Sequence, residues 1–201
     1  RDILVRLARA QLELLIEGRV GGAPPDDIVK RNGQAYLQGV EAWDDLSDDQ
    51  HRLFARQMEV YAAMVTHTDE QIGRLLDFLD RGGLREDTLV MVLSDNGASA
   101  EGAQQGRLDS FGYVNGVPES IEDMLAHLDD WGSPHTHPHY ASGWAMAGGT
   151  PNRMYKAFVH EGGTRDPLIV SWPGHVADEG AIRTTAHTSS IIATGWPSVG
   201  P

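Results

Sequence analysis

Asp95 and Asn96 stand side by side between an apolar run, residues 88–93, and Gly97. A carboxylate next to an amide oxygen offers hard oxygen donors of the kind that hold Ca²⁺ or Mg²⁺. In open α/β sheets ligands gather beyond the carboxyl ends of strands, and the pair falls at such an end. Asp-Asn-Gly is equally strong turn chemistry, whatever else it does. Further on, Lys156 precedes Glu161, Gly162 and Gly163. Taken alone it is an exposed lysine. With a Gly-Gly turn and a strand behind it, its ammonium becomes a point charge for a sulfate or phosphate oxygen. His135, His137 and His139 alternate, a spacing that could aim three imidazoles at one zinc ion. Pro134 and Pro138 interrupt regular structure there and favour a solvated loop. His160, beside Glu161, is open to three readings: a partner of that carboxylate, a proton donor, or a packed or exposed side chain. No Gly-rich phosphate loop and no Gly-x-Ser-x-Gly elbow occurs.

Elements must hold these residues in place. In residues 2–17, Leu4, Leu7, Ala8, Leu12, Leu15 and Ile16 have the spacing of an amphipathic helix. Gly18, Gly21, Gly22, Pro24 and Pro25 end it, and a loop-like stretch runs to about Leu46. Ser47 and Gln50 then match a capping box, each side chain satisfying a backbone donor of the other. Phe54, Met58, Tyr61, Val65, Thr68, Ile72, Leu75 and Leu79 follow in steps of four and three, which predicts one long helix with a core-facing stripe. Arg81, Gly82 and Gly83 close it, with glycine available for a left-handed cap. Residues 88–93 predict a strand buried on both faces, and residues 168–172 a second, stopped by Pro173 and Gly174. Helix followed by buried strand is the grammar of an α/β domain. The long connection between the strands, rich in Gly, Ser, Asp and His, contains one expected short helix at 120–130; connections of this length are more often functional than idle.

Composition narrows the functions further. The 201 residues suffice for a domain with a buried core, and 40% hydrophobic with 22% charged residues is ordinary for a soluble protein. The formal net charge of −13 argues against nucleic acid as the partner, since phosphate contacts need clustered Lys and Arg. No stretch is apolar for long enough to span a bilayer. The absence of cysteine excludes disulfides and cysteine nucleophiles within the chain and leaves the compartment open, bacterial periplasm or cytoplasm alike. The first residue is Arg1, not Met, in what reads as the middle of a helix, so the natural start is expected further upstream.

Several blocks together resemble one family. Residues 61–64 and 69–76 look like the helix that precedes the metal strand of type I sulfatases. The run LVMVLSDNG at 89–97 is similar to that strand. Ala98, Ser99, Ala100, Glu101 and Gly102, then residues 143–147, Thr150 and Pro151, resemble the large bacterial arylsulfatases in particular, and Lys156 with residues 161–174 completes the series. The resemblance implies the C-terminal part of a formylglycine-dependent arylsulfatase: an α/β, alkaline-phosphatase-like domain with a mainly parallel central sheet flanked by helices. It would cover residues 1–183, with 184–201 a divergent tail in which His187 is followed by Ser190 where the family has an Asp. It implies Asp95 and Asn96 as ligands of a divalent cation, usually Ca²⁺ with Mg²⁺ as the alternative, and Lys156 as the catalytic lysine that contacts the sulfate. The substrate class would be a small-molecule sulfate ester, attacked by a formylglycine made from a Cys or Ser in a Cys/Ser-x-Pro-x-Arg motif. No such motif occurs in the chain, and the family's early Asp-Asp pair is absent too; both are expected upstream, so the chain by itself is expected to be inactive. Two rivals share these residues: a phosphodiesterase or phosphonate monoester hydrolase of the same superfamily, and a non-catalytic remnant.

Overall fold

A computed structural model describes residues 40–176. The helix expected at 2–17 and the divergent tail at 184–201 lie outside the described residues. A 3₁₀ turn, Trp43–Asp45, leads into α1, Asp48–Arg81. The helix starts where the capping box places it. Ser47 Oγ accepts the Gln50 N–H at 3.2 Å, and Gln50 Oε1 accepts the Ser47 N–H at 2.9 Å. Asp48 and Asp49 add negative charge at the positive end of the helix dipole. At the far end Gly82 keeps a right-handed φ of −81°, and the left-handed residue is Gly83 at +64°.

The short elements that follow are β1, Val90–Leu93; α2, Ser110–Val114; α3, Ile121–Ala126; α4, Ser142–Gly149; α5, Glu161–Thr164; and β2, Leu168–Ser171. The helix expected at 120–130 is split. Ser120 caps α3, and a separate 3₁₀ turn spans Leu128–Asp130. The core lies between the first turns of α1, α3 and the chain around 131–141. Leu53, Phe54, Met124, Trp131 and Ala141 are buried there. Polar groups in this core are paired. Gln57, 2% exposed, donates to the Gln105 carbonyl at 2.7 Å and accepts the Ala141 N–H at 2.8 Å. The indole of Trp144 donates to the Phe54 carbonyl, and that of Trp131 to the Met124 carbonyl.

Two sequence expectations need correction. The run at 88–93 forms a four-residue strand that pairs antiparallel with β2, Leu93 facing Leu168 and Val90 facing Ser171, where a parallel central strand buried on both faces was expected. Its side chains alternate, with Met91 47% and Leu93 50% exposed. An apolar run reports burial in whatever surrounds it but carries no strand direction. Direction is set by where the chain returns, and the long connection brings β2 back head to tail. No second strand or covering layer lies over the Met91 and Leu93 face among the described residues. The α1 stripe was likewise expected to face the core along its whole length. Its first part, around Phe54, packs on α3 and Trp131, whereas Leu75 near its end is 53% exposed.

The sheet is nevertheless tied down at both ends. At its entry, Arg85 donates to Ser171 Oγ, and the Trp172 indole donates to the Glu86 carbonyl at 2.9 Å. At its exit, the Ser94 N–H donates to the Pro167 carbonyl at 3.3 Å and the Gly97 N–H to the Gly163 carbonyl at 3.4 Å. The loop after β1 and the segment before β2 therefore leave the sheet as neighbours.

Candidate functional site

Asp95 and Asn96 follow β1 directly, with Asp95 exposed and Asn96 half-buried. Ser94 Oγ donates to the Asn96 carbonyl at 2.7 Å, and the Asn96 amide nitrogen donates to the Gly97 carbonyl at 3.0 Å. These are bonds of a tight turn. They also fix the amide by its nitrogen, so the oxygen is the end suited to a cation. Gly97 must be glycine: a Cβ there would run into the Gly162 carbonyl oxygen.

The lysine loop is wound around α5. The Gly162 N–H donates to the Arg153 carbonyl at 2.8 Å. A Cβ on Gly162 would meet the Met154 carbonyl, and one on Gly163 the carbonyls of Phe158 and Tyr155. The glycine pair lets residues 153–158 press against it from one side and Gly97 from the other. The same winding holds Met154 at φ +65° and Ala157 at φ +76°, left-handed positions that disfavour side chains by about 1–2 kcal/mol each. Two such residues flanking Lys156 mean that the surrounding contacts hold its backbone in place at some cost in strain.

That backbone is fastened to the loop after the Asp-Asn pair. The Lys156 N–H donates to the Ala98 carbonyl at 2.9 Å, and its ammonium reaches Glu101 Oε2 at 2.9 Å. The lysine side chain is 33% exposed and that of Glu101 65%. The bond from Lys156, and after it one from Ser99, holds the Glu101 carboxyl below the ordinary glutamate range. Ser99 Oγ lies 3.1 Å from Glu101 Oε2 and 3.0 Å from His139 Nε2. Asp166 sits just ahead of β2, next to Pro167, whose carbonyl accepts the Ser94 N–H. Burial raises its carboxyl above the usual range, and the negative charge of Asp95 raises it further. A carboxyl whose ionisation is opposed by a neighbouring negative charge marks a place where a cation would be favourable. The donor types fit a hard divalent ion. Their number does not fill its shell, since no cluster of three or more His, Cys, Asp or Glu suited to a metal occurs among the described residues.

The histidine run does not make a zinc site. His137 packs against the Phe111 ring at 4.5 Å, while His139 turns to Ser99 and the Gly102 N–H. His160 precedes α5 as its N-cap residue without a side-chain capping bond. Glu161 pairs instead with Arg165 at 3.5 Å, one helical turn on. The sequence pointed to Asp95, Asn96 and Lys156. It gave no sign that Ser99, Glu101, His139 and Asp166 join them, because those meetings depend on three segments crossing. No helix among the described residues is long and apolar enough to cross a membrane.

The family described as Sulfatase matches residues 23–195. An uncharacterized sulfatase of Schizosaccharomyces pombe is 36% identical over 135 residues, covering 67% of this chain and 23% of that protein. An arylsulfatase of Klebsiella aerogenes is 30% identical over 141 residues, covering 69% of this chain and 28% of that protein. The chain thus spans about a quarter of the length of these curated relatives.

Proposed function

The chain belongs to the sulfatase family, and from that premise we propose that it forms part of a sulfuric ester hydrolase, of the arylsulfatase type, acting on small-molecule sulfate esters. Lys156 is the residue that contacts the sulfate, as a point charge to an oxygen that carries negative charge through the reaction. Asp95 and Asn96 contribute oxygens to a divalent cation, Ca²⁺ with Mg²⁺ as the alternative. When bound, such a cation polarises the sulfate oxygens as a Lewis acid. The observation that carries this reading is the Lys156 N–H bond to the Ala98 carbonyl, which ties the lysine to the loop two residues beyond Asn96. The strained backbone on both sides of Lys156 adds support.

The sequence contains no Cys/Ser-x-Pro-x-Arg, so the formylglycine nucleophile would come from the greater part of the relatives' length that this chain does not match. The alkaline-phosphatase-like α/β fold that goes with the family would set β1 in a larger, mainly parallel sheet. The uncovered side chains of Met91 and Leu93 are consistent with such an extension. A direct test replaces the matching stretch of the Klebsiella aerogenes arylsulfatase with this chain and assays 4-nitrophenyl sulfate beside 4-nitrophenyl phosphate. The expected result is sulfate-selective turnover that falls by about a hundredfold or more in Lys156→Ala, the scale seen when one preorganised charge-stabilising group is lost. An active chimaera in which Lys156→Ala keeps its full rate overturns the assignment.

A further inference from the structure

We propose that Glu101 is the positioning residue for Lys156, and that Ser99 and His139 stand behind it as a relay that fixes the carboxylate. The proposal rests on the reading of Lys156 as the sulfate contact. A lysine on a four-carbon stem has many rotamers, and holding its ammonium at one point requires a partner that is itself held. Glu101 alone, on an exposed loop, would not be such a partner. Its neighbours supply the constraint.

The direction of each hydrogen bond can be followed from the backbone outward. Gly102 is buried, and its N–H donates to His139 Nδ1 at 3.1 Å. Nδ1 is therefore the unprotonated nitrogen, and Nε2 carries the hydrogen. The Tyr140 carbonyl also lies 3.2 Å from Nδ1, but bonding to it would require a proton on Nδ1 and would strand the Gly102 donor. Nε2–H then donates to Ser99 Oγ at 3.0 Å, and the serine hydroxyl donates its one proton to Glu101 Oε2 at 3.1 Å. The Glu101 N–H closes back onto Ser99 Oγ at 3.4 Å. The same Oε2 accepts from Lys156 Nζ at 2.9 Å. Every donor in this series has an acceptor, and the series ends at the ammonium. One of its three N–H groups is committed to Glu101, leaving two for an oxyanion. The protonated Nε2 also shows what the cluster is not. His139 has no lone pair facing Ser99, so the serine is not activated as a nucleophile.

The chain has two lysines, Lys30 and Lys156, which makes their ammonium signals simple to assign by NMR on the ¹⁵N-lysine-labelled 201-residue chain with a Lys30→Arg control. The expected wild-type result is slow exchange of the Lys156 ammonium protons and a signal that shifts as inorganic sulfate is titrated. In Glu101→Ala, exchange is fast and sulfate binds about three- to tenfold more weakly, the scale of restoring rotamer freedom to a long side chain. Glu101→Gln, which keeps an acceptor, recovers part of the loss, and Ser99→Ala shows a smaller loss in the same direction. An unchanged backbone amide spectrum away from residues 98–102 separates positioning from unfolding. If Lys156 responds to sulfate and Glu101→Ala binds it equally or more tightly, Glu101 is a bystander or a competitor and the proposal falls alone. If Lys156→Ala binds sulfate as the wild type does, or the wild-type Lys156 signal does not respond, the reading of Lys156 falls and the positioning role with it.

Discussion

At the scale of single residues the site is a set of charges held in unequal environments. Asp166 is the clearest case. Its folded-state pKa is raised, so its contribution to stability is present below the ordinary aspartate value of 3.8 and is lost as pH rises through the folded value. At neutral pH the ionised carboxylate therefore works against the fold. Asp166→Asn is expected to raise the free energy of unfolding at pH 7 by less than about 1 kcal/mol, since the group is partly solvated. The gain should vanish below pH 3.8; urea titrations at the two pH values measure it. Ala157 allows a second check. Its φ of +76° suits glycine, so Ala157→Gly should stabilise the chain by up to about 1 kcal/mol, read as a higher urea midpoint at unchanged slope. Asp95, Asn96 and Lys156 were visible in the sequence because each sits beside a local signal: an apolar run, a turn, a glycine pair. Ser99, Glu101 and Asp166 were not, because no local pattern marks a carboxylate that meets its partner across 55 residues, as Glu101 meets Lys156.

Elements differ in how far the sequence specifies them. The start of α1 is set by one local device, so Ser47→Ala should lower stability by about 1 kcal/mol in thermal or urea unfolding, with the fold unchanged. The helix was legible from end to end because capping chemistry, spacing of apolar residues and terminal glycines all agree over its 34 residues. The strands were legible as strands but not in their pairing. Four residues fix only that a strand forms. The antiparallel register of Val90 with Ser171 depends on how the whole connection folds. Within that connection α2, α4 and α5 escaped notice because helices of four to eight residues carry too few turns to show a periodicity.

For the molecule as a whole, the described residues bring the loop that follows Asp95 and Asn96 against the loop that carries Lys156. The 201-residue chain is expected to show no turnover of 4-nitrophenyl sulfate above buffer, with Ca²⁺ present, because it has no residue in a motif that yields the nucleophile. Turnover abolished by Lys156→Ala would contradict this. Ca²⁺ takes six to eight oxygens, and on the function proposed above Asp95 and Asn96 would provide two of them. Calorimetry is therefore expected to give a dissociation constant of about 10⁻³ M or weaker, lost in Asp95→Ala. Tight binding that survives Asp95→Ala would move the cation elsewhere.

The pairing of β1 with β2 also has a consequence in time. The strands touch in space but are separated by the long connection that carries most of the small helices. Closing so long a loop is paid for in chain entropy before any rung of the ladder forms, and non-local pairings of this kind are slow. Helix α1 and its core contacts need no such closure. The candidate site is thus among the last features to exist during refolding, since Lys156 meets Ala98 and Glu101 only as the two chain segments come together. The candidate site doubles as a chronometer for the end of folding.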